Sequence, residues 1–226
     1  LIAARGLLAA GMRDTVRDLL ITFGRFAHDG TLPNSIHGAD ASNRDTTDAP
    51  LWYGVVAEEL AALDAGSDPS AATISPVYSL SVDADGRTLA SVLRSIACGY
   101  LKGTPNGIRV DADSGLVWSP SHFTWMDTNY PAGTPREGYP VEIQALWIRL
   151  LRQLARMEAE PWEGRGEPWA DLAKRAEDSL HRYFWLDEYG WYADVLLAPR
   201  DLAARIAPLS NALRSNALLV VALGMD

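Results

Sequence analysis

From Met12 onward, apolar residues recur at helical spacing. Val16, Leu19, Leu20, Phe23 and Phe26 form the repeat, with Arg13, Asp14, Arg17 and Asp18 between them, which predicts an amphipathic helix ending near His28-Asp29-Gly30. An Ala-rich apolar run over residues 1–10, broken at Gly11, precedes it. A third helix is expected to begin around Asp48 and Ala49, to carry Leu51, Trp52, Val55, Val56 and Leu60, and to stop at Asp64-Ala65-Gly66. Leu89, Val92, Leu93, Ile96 and Tyr100 mark another from Thr88 to Leu101. The pattern predicts three more: about Pro140 to Ala159, Pro168 to Phe184, and Leu209 to Leu223. The first of these three is apolar on more than one face.

Alternating strand patterns are almost absent. Only short pieces such as GIRV (107–110), GLVW (115–118) and GWYADV (190–195) could form small hairpins beside the helices, and PVYSLSV (76–82) fits either an extended segment or a short helix. Two irregular stretches, 29–48 and 103–139, exceed the roughly 15 residues beyond which loops in compact domains usually carry function. A helix buried on two faces needs neighbours on both. Concentric helix layers supply them, so an α/α toroid and an irregular helical bundle both satisfy the pattern, and periodicity does not choose between them.

Composition narrows the partners. The 226 residues fit one large domain or part of one. With 20 Lys+Arg against 29 Asp+Glu the net charge is −9, which argues against nucleic acid, since phosphate contacts need a basic face. The single cysteine, Cys98, excludes an internal disulfide framework and a multi-cysteine zinc site. The longest apolar runs, such as ALLVVALGM (217–225), are too short to span a bilayer. The opening LIAARGLLAAGMRDTV carries no basic leader, so a cytoplasmic location is expected and no membrane partner. The chain starts inside a helical pattern and stops after another, and reads as a piece of a longer one.

Several chemical signatures are missing: a P-loop, a dinucleotide-binding glycine pattern, HExxH and GxSxG. DADG (83–86) and DADSG (111–115) lack the closing Glu of a calcium loop and read as turns. His37 and His122 have no partner at metal-ligand spacing, and Cys98 sits on an apolar helical stripe. Neither a metal nor a cofactor is therefore expected.

The richest feature is carboxylates among aromatic residues. Asp127 lies two residues after Trp125 and three before Tyr130. A carboxyl beside indole and phenol rings loses solvation, which raises its pKa toward that of a usable general acid. Glycosidases need such a group to protonate the leaving oxygen, and aromatic faces cover the apolar side of a sugar. The same spacing fits equally an Asp that caps a short turn. Plain readings also exist for the other candidates. Glu142 suits the first turn of a helix opened by Pro140. Asp48 suits an N-cap, Asn34 a turn after a proline, and Arg136 a surface charge or a donor to a carboxylate.

Four stretches taken in order go further. HFTWMDTNYPAGTPREGYPVEIQALW (122–147) resembles the signature of the C-terminal amylo-α-1,6-glucosidase domain of bacterial-type glycogen debranching enzymes. GTLPNSI (30–36), NRDTTDAPLW (43–52) and LRSNALLVVAL (213–223) are similar to the pieces that accompany it. The resemblance implies an all-α fold, an (α/α)6 toroid of the glucoamylase type, with residues 1–226 as its central part, lacking its first and last helices. It implies inverting hydrolysis that frees glucose from α-1,6 branch points of glycogen or limit dextrin, so that the partner is an α-glucan. Asp127 would be the general acid, and Asn34, Asp48, Trp52, Trp125, Arg136 and Glu142 would bind the sugar. The family's catalytic base would lie beyond Asp226 and its Arg-Asp motif before Leu1, which would leave the isolated segment inactive. Ser215 stands where the family pattern has Pro. The rival expectations are a glycan-binding toroid without catalysis and a related toroidal glycosidase acting on another α-glycoside.

Overall fold

Two helices buried around most of their circumference occupy the middle of the molecule: α3 (Asp48–Ala65) and α5 (Val141–Met157). The computed structural model describes residues 1–66, 75–126, 134–157 and 167–225. Helix α5 lies between α3 on one side and α6 (Trp169–Phe184) on the other, which is why its sequence is apolar on more than one face. Two polar side chains inside it are spent on backbone. Gln153 donates to the Gly54 carbonyl at 3.2 Å. Gln144 accepts from the Val117 amide at 2.7 Å and donates to the Val117 carbonyl at 2.9 Å.

The remaining helices surround this pair. Helices α1 (Ala4–Ala9) and α2 (Arg13–Arg25) pack on each other and on α3, and the Tyr53 hydroxyl of α3 donates to the Leu20 carbonyl at 2.9 Å. Helix α4 (Leu89–Lys102) opens with a capping box between Thr88 and Ser91 and ends at Gly103. A 3₁₀ turn over Pro76–Ser79 resolves the PVYSLSV segment as helical at its start. Helix α7 (Leu218–Ala222) closes the described chain.

An all-α toroid is not what the chain forms. Among the described residues, seven short strands make three antiparallel sheets: β1 (Arg109–Val110) with β2 (Val117–Trp118), β4 (Trp185–Leu186) with β5 (Trp191–Tyr192), and β3 (Gly138–Pro140), β6 (Val195–Leu197) and β7 (Leu209–Ser210) in the order β3-β6-β7. A bridge between Ser119 and Gly138 links the first of these sheets to the last. Strands β1, β2 and β5 lie in the pieces GIRV, GLVW and GWYADV expected to form small hairpins, whereas the others, two or three residues long, are too short to show a period of two in the sequence.

Three helix boundaries are corrected, the first two because short strands take the residues. The segment expected as a helix over Leu209–Leu223 splits. Leu209 and Ser210 pair with β6, a 3₁₀ turn covers Ser215–Ala217, and only Leu218–Ala222 is α-helical. Pro140 closes strand β3 rather than opening the helix, which starts at Val141. Asp48 is the first residue of α3, not its cap. The N-cap is Thr47, and the Thr46 hydroxyl accepts from the Ala49 amide at 3.1 Å.

Candidate active site

The first long loop is held in shape by its own Arg44. That guanidinium donates to the Phe26 carbonyl at 2.7 Å and to the Thr31 hydroxyl at 2.8 Å, while Asn106 donates to the Arg44 carbonyl at 2.6 Å. Asn34 is exposed on this loop, and its amide donates to the Asn43 carbonyl at 2.8 Å. The loop then enters α3 through Thr46, Thr47 and Asp48.

Asp48, Trp52 and Asn34 open onto one pocket of about 260 Å³, which Asp45, Thr46, Phe23, Thr124 and Trp125 also line. Asp48 is only 7% exposed, and its Oδ1 accepts from the Thr46 hydroxyl at 2.7 Å. Burial raises its pKa above the usual carboxylate value. The Thr46 hydrogen bond works against that rise, and the charge of Glu142 adds to it. Trp52 is buried apart from its pocket edge, and the Arg5 guanidinium sits 5.8 Å from its ring centroid. Trp125 is 50% exposed and offers a broad aromatic surface at the pocket wall. A buried carboxyl beside two indoles is an arrangement that can hydrogen-bond a sugar's hydroxyls and cover its apolar face.

Arg136 and Glu142 take a different position. They are 2% and 0% exposed and lie behind the pocket rather than on its wall. Arg136, at a φ of +46°, faces two carboxylates at once. Its Nη1 and Nη2 donate to the two Glu142 oxygens at 2.5 and 2.6 Å. Its Nε donates to Asp194 Oδ2 at 2.9 Å and its Nη2 to Asp194 Oδ1 at 3.0 Å. Burial by itself lowers the guanidinium's pKa, but the hydrogen bonds and charges of Glu142 and Asp194 outweigh it, so the net shift is upward. Asp194 also accepts from Asn216 Nδ2 at 2.7 Å, and Arg214 Nε stands 3.2 Å from its Oδ2. Two cations and two anions thus balance in one largely dry cluster.

Asp127, the acid singled out by the aromatic pattern, lies outside the described residues. Of the other candidates, Asn34, Asp48, Trp52 and Trp125 share the pocket, whereas Arg136 and Glu142 support it from behind. Reading the sequence missed Asp194, which it placed only in the hairpin segment GWYADV. The available signal was an acid inside an otherwise apolar and aromatic run. Among the described residues no group of His, Cys, Asp and Glu could hold a metal ion, and no helix is long and apolar enough to cross a membrane.

A buried carboxyl and two indoles thus meet at one small pocket on a helical frame with minor sheets. The chain belongs to the amylo-alpha-1,6-glucosidase family, whose pattern matches residues 1–226. No curated protein sequence matches it. The fold is similar to that of a GH78 family rhamnosidase of Bacillus sp. GL1, with a TM-score of 0.57 and 16% identity over 93% of this chain and 19% of that one. A rhamnosidase from Klebsiella oxytoca with rhamnose bound gives a TM-score of 0.46 at 15% identity, over 80% of this chain and 31% of that one. The chain therefore spans less than a third of the length of either rhamnosidase.

Proposed function

We propose that the protein releases glucose from α-1,6 branch points of glycogen or limit dextrin by inverting acid/base hydrolysis. The observation that carries this reading is the convergence of Asn34, Asp48, Trp52 and Trp125, from three separate stretches of sequence, on one pocket. Its volume of about 260 Å³ is below the roughly 300 Å³ at which sites for drug-sized ligands begin, which suits a single terminal sugar. Trp125 covers the apolar face of that sugar, and Asp48 and Asn34 accept or donate hydrogen bonds at its hydroxyls.

In the proposed reaction Asp127 protonates the α-1,6 oxygen as the C–O bond breaks, and the leaving glucan departs as its alcohol. A second carboxylate takes a proton from the attacking water, whose oxygen bonds to the anomeric carbon. Inverting enzymes hold the two carboxyls roughly 6.5–9.5 Å apart to admit that water. The test is glucose release from a branched limit dextrin by the full-length protein and its Asp127→Asn variant. The parent should release free glucose, and the variant should bind the dextrin with little turnover. Release of no glucose by the parent, or an unchanged kcat in the variant, sinks the proposal.

A further inference from the structure

The wall that carries Trp125 is fastened from behind by a cluster whose members come from four distant places in the chain. Thr124 Oγ1 accepts from Arg136 Nη1 at 3.3 Å and from the Met126 amide at 3.3 Å. Met126 Sδ accepts from Asn216 Nδ2 at 3.3 Å. The two bonds to Thr124 Oγ1 are long and a thioether sulfur is a weak acceptor, so each is weak taken alone. What makes them definite is that both donors are oriented by one carboxylate, Asp194.

Asp194 fixes Arg136 through both carboxylate oxygens and through its own backbone carbonyl, which accepts from Nη2 at 3.0 Å. It also fixes the Asn216 amide through Nδ2, and the Oδ1 of that amide is buried with no partner. Turning the Asn216 amide over would aim its oxygen at the Asp194 carboxylate, so the charge dictates which end meets Met126. Asp194 itself cannot shift. Its amide donates to the Ser210 carbonyl at 3.0 Å, its carbonyl accepts from the Val141 amide at 3.0 Å, and it is 2% exposed at the edge of β6.

We propose that Asp194 is a positioning residue that, through Arg136 and Asn216, sets where Thr124–Met126 stand against the pocket. The functional half of this inference rests on reading that pocket as the sugar site. The geometric half does not. Asp194 is not among the residues that line the pocket of Asn34, Asp48, Trp52 and Trp125. It acts by removing freedom from the stretch that presents Trp125.

Hydrogen exchange at the backbone amides of the full-length protein tests this, far below its unfolding temperature. Two variants are compared with the parent: Asp194→Asn, which removes the charge that orients both donors, and Asn216→Ala, which removes the link between Asp194 and Met126 and leaves the Arg136 bonds to Glu142 and Asp194 in place. In both, the Met126 amide should exchange about tenfold faster or more, while Leu93 and Ile96 in α4 keep parental rates. In Asn216→Ala, kcat/KM on limit dextrin should fall while the α4 amides keep parental exchange rates. Unchanged exchange at Met126 in Asn216→Ala overturns the inference. So does acceleration at α4 in proportion, which would mark a general loss of stability. A parent that releases no glucose defeats the proposed function and leaves the exchange result readable by itself.

Discussion

The Thr47 amide donates to the Phe123 carbonyl at 2.6 Å, joining the residue before Asp48 to the residue before Thr124. Thr47 spends its other groups the same way. Its hydroxyl shares a hydrogen bond with Ser119 at 2.7 Å, and its carbonyl accepts from the Tyr100 hydroxyl at 2.7 Å. The two long loops therefore meet at one residue, and the pocket lies where they meet. Tyr100 is fully buried and stacks on Trp147 with ring centroids 5.7 Å apart.

Tyr100→Phe keeps that stacking and removes only the hydroxyl. We expect a loss of about 1 kcal/mol, which for a chain of this size lowers Tm by roughly 2–4 °C. Glycan affinity should fall with it as the loop junction loosens. Urea denaturation with an unmoved midpoint would show that the bond holds nothing.

Arg136 and its carboxylates make a harsher test. Arg136→Met keeps much of the side-chain volume but leaves Glu142 and Asp194 buried without their shared cation. Removing one partner from such a cluster costs about 3–5 kcal/mol, so this variant should unfold at far lower denaturant than the parent. Arg136→Lys should recover only part of the loss, because an ammonium cannot reach two carboxylates in bidentate fashion. Equal denaturation midpoints for the Lys variant and the parent would argue against the bidentate geometry.

Asp48 links stability to pH. Its folded pKa lies above its ordinary value, chiefly through burial, so the folded protein binds the proton more tightly than the unfolded chain. Stability is then highest below the ordinary carboxylate pKa of about 3.9, falls as pH rises toward the raised folded value, and is flat above it. Asp48→Asn keeps an acceptor for Thr46 and removes the buried charge. Its Tm relative to the parent should therefore rise between acid and neutral pH, while sugar binding weakens. Thermal melts at pH 4 and pH 7 check this, and a Tm difference that is the same at both would refute it.

Gly138 sits at a φ of +131° where β3 meets β6. A methyl group there would run into the carbonyl oxygen of Leu196 in the partner strand and the amide of Ala198 just past its end, both backbone atoms. Gly138→Ala should cost at least about 3 kcal/mol or prevent folding. Melting within a few degrees of the parent would mean that the β3–β6 pairing differs from the one described.

Most of the helices were legible in the sequence because burial repeats along them. Leu89, Val92, Leu93 and Ile96 mark α4 to within a residue of its true start. Of the strands, β1, β2 and β5 fall in the hairpin pieces that the sequence offered, whereas β7 was not legible, since Leu196 and Leu209 pair across an interval that no local pattern records. The same limit hid half of the site. Asn34, Asp48, Trp52 and Trp125 could be named from their motifs, and the pocket gathers them. Asp194 joins Arg136 and Asn216 only in space. Nor did the motif around Arg136 and Glu142 say that these two face each other in the dark behind the pocket, because the burial of a charge depends on what folds over it.

The Gln144 carboxamide has a consequence beyond packing. Val117 turns its amide and carbonyl away from β1, and both meet the Gln144 side chain, which presents an acceptor and a donor just as a neighbouring peptide group would. Two residues on, Ser119 exchanges backbone bonds with Gly138. Strand β2 therefore has no open flank to offer. A second molecule arriving in extended conformation finds its docking rail along β2 already occupied, partly by a strand and partly by a helix imitating one, so this edge is closed to the strand-on-strand pairing that ends in fibres.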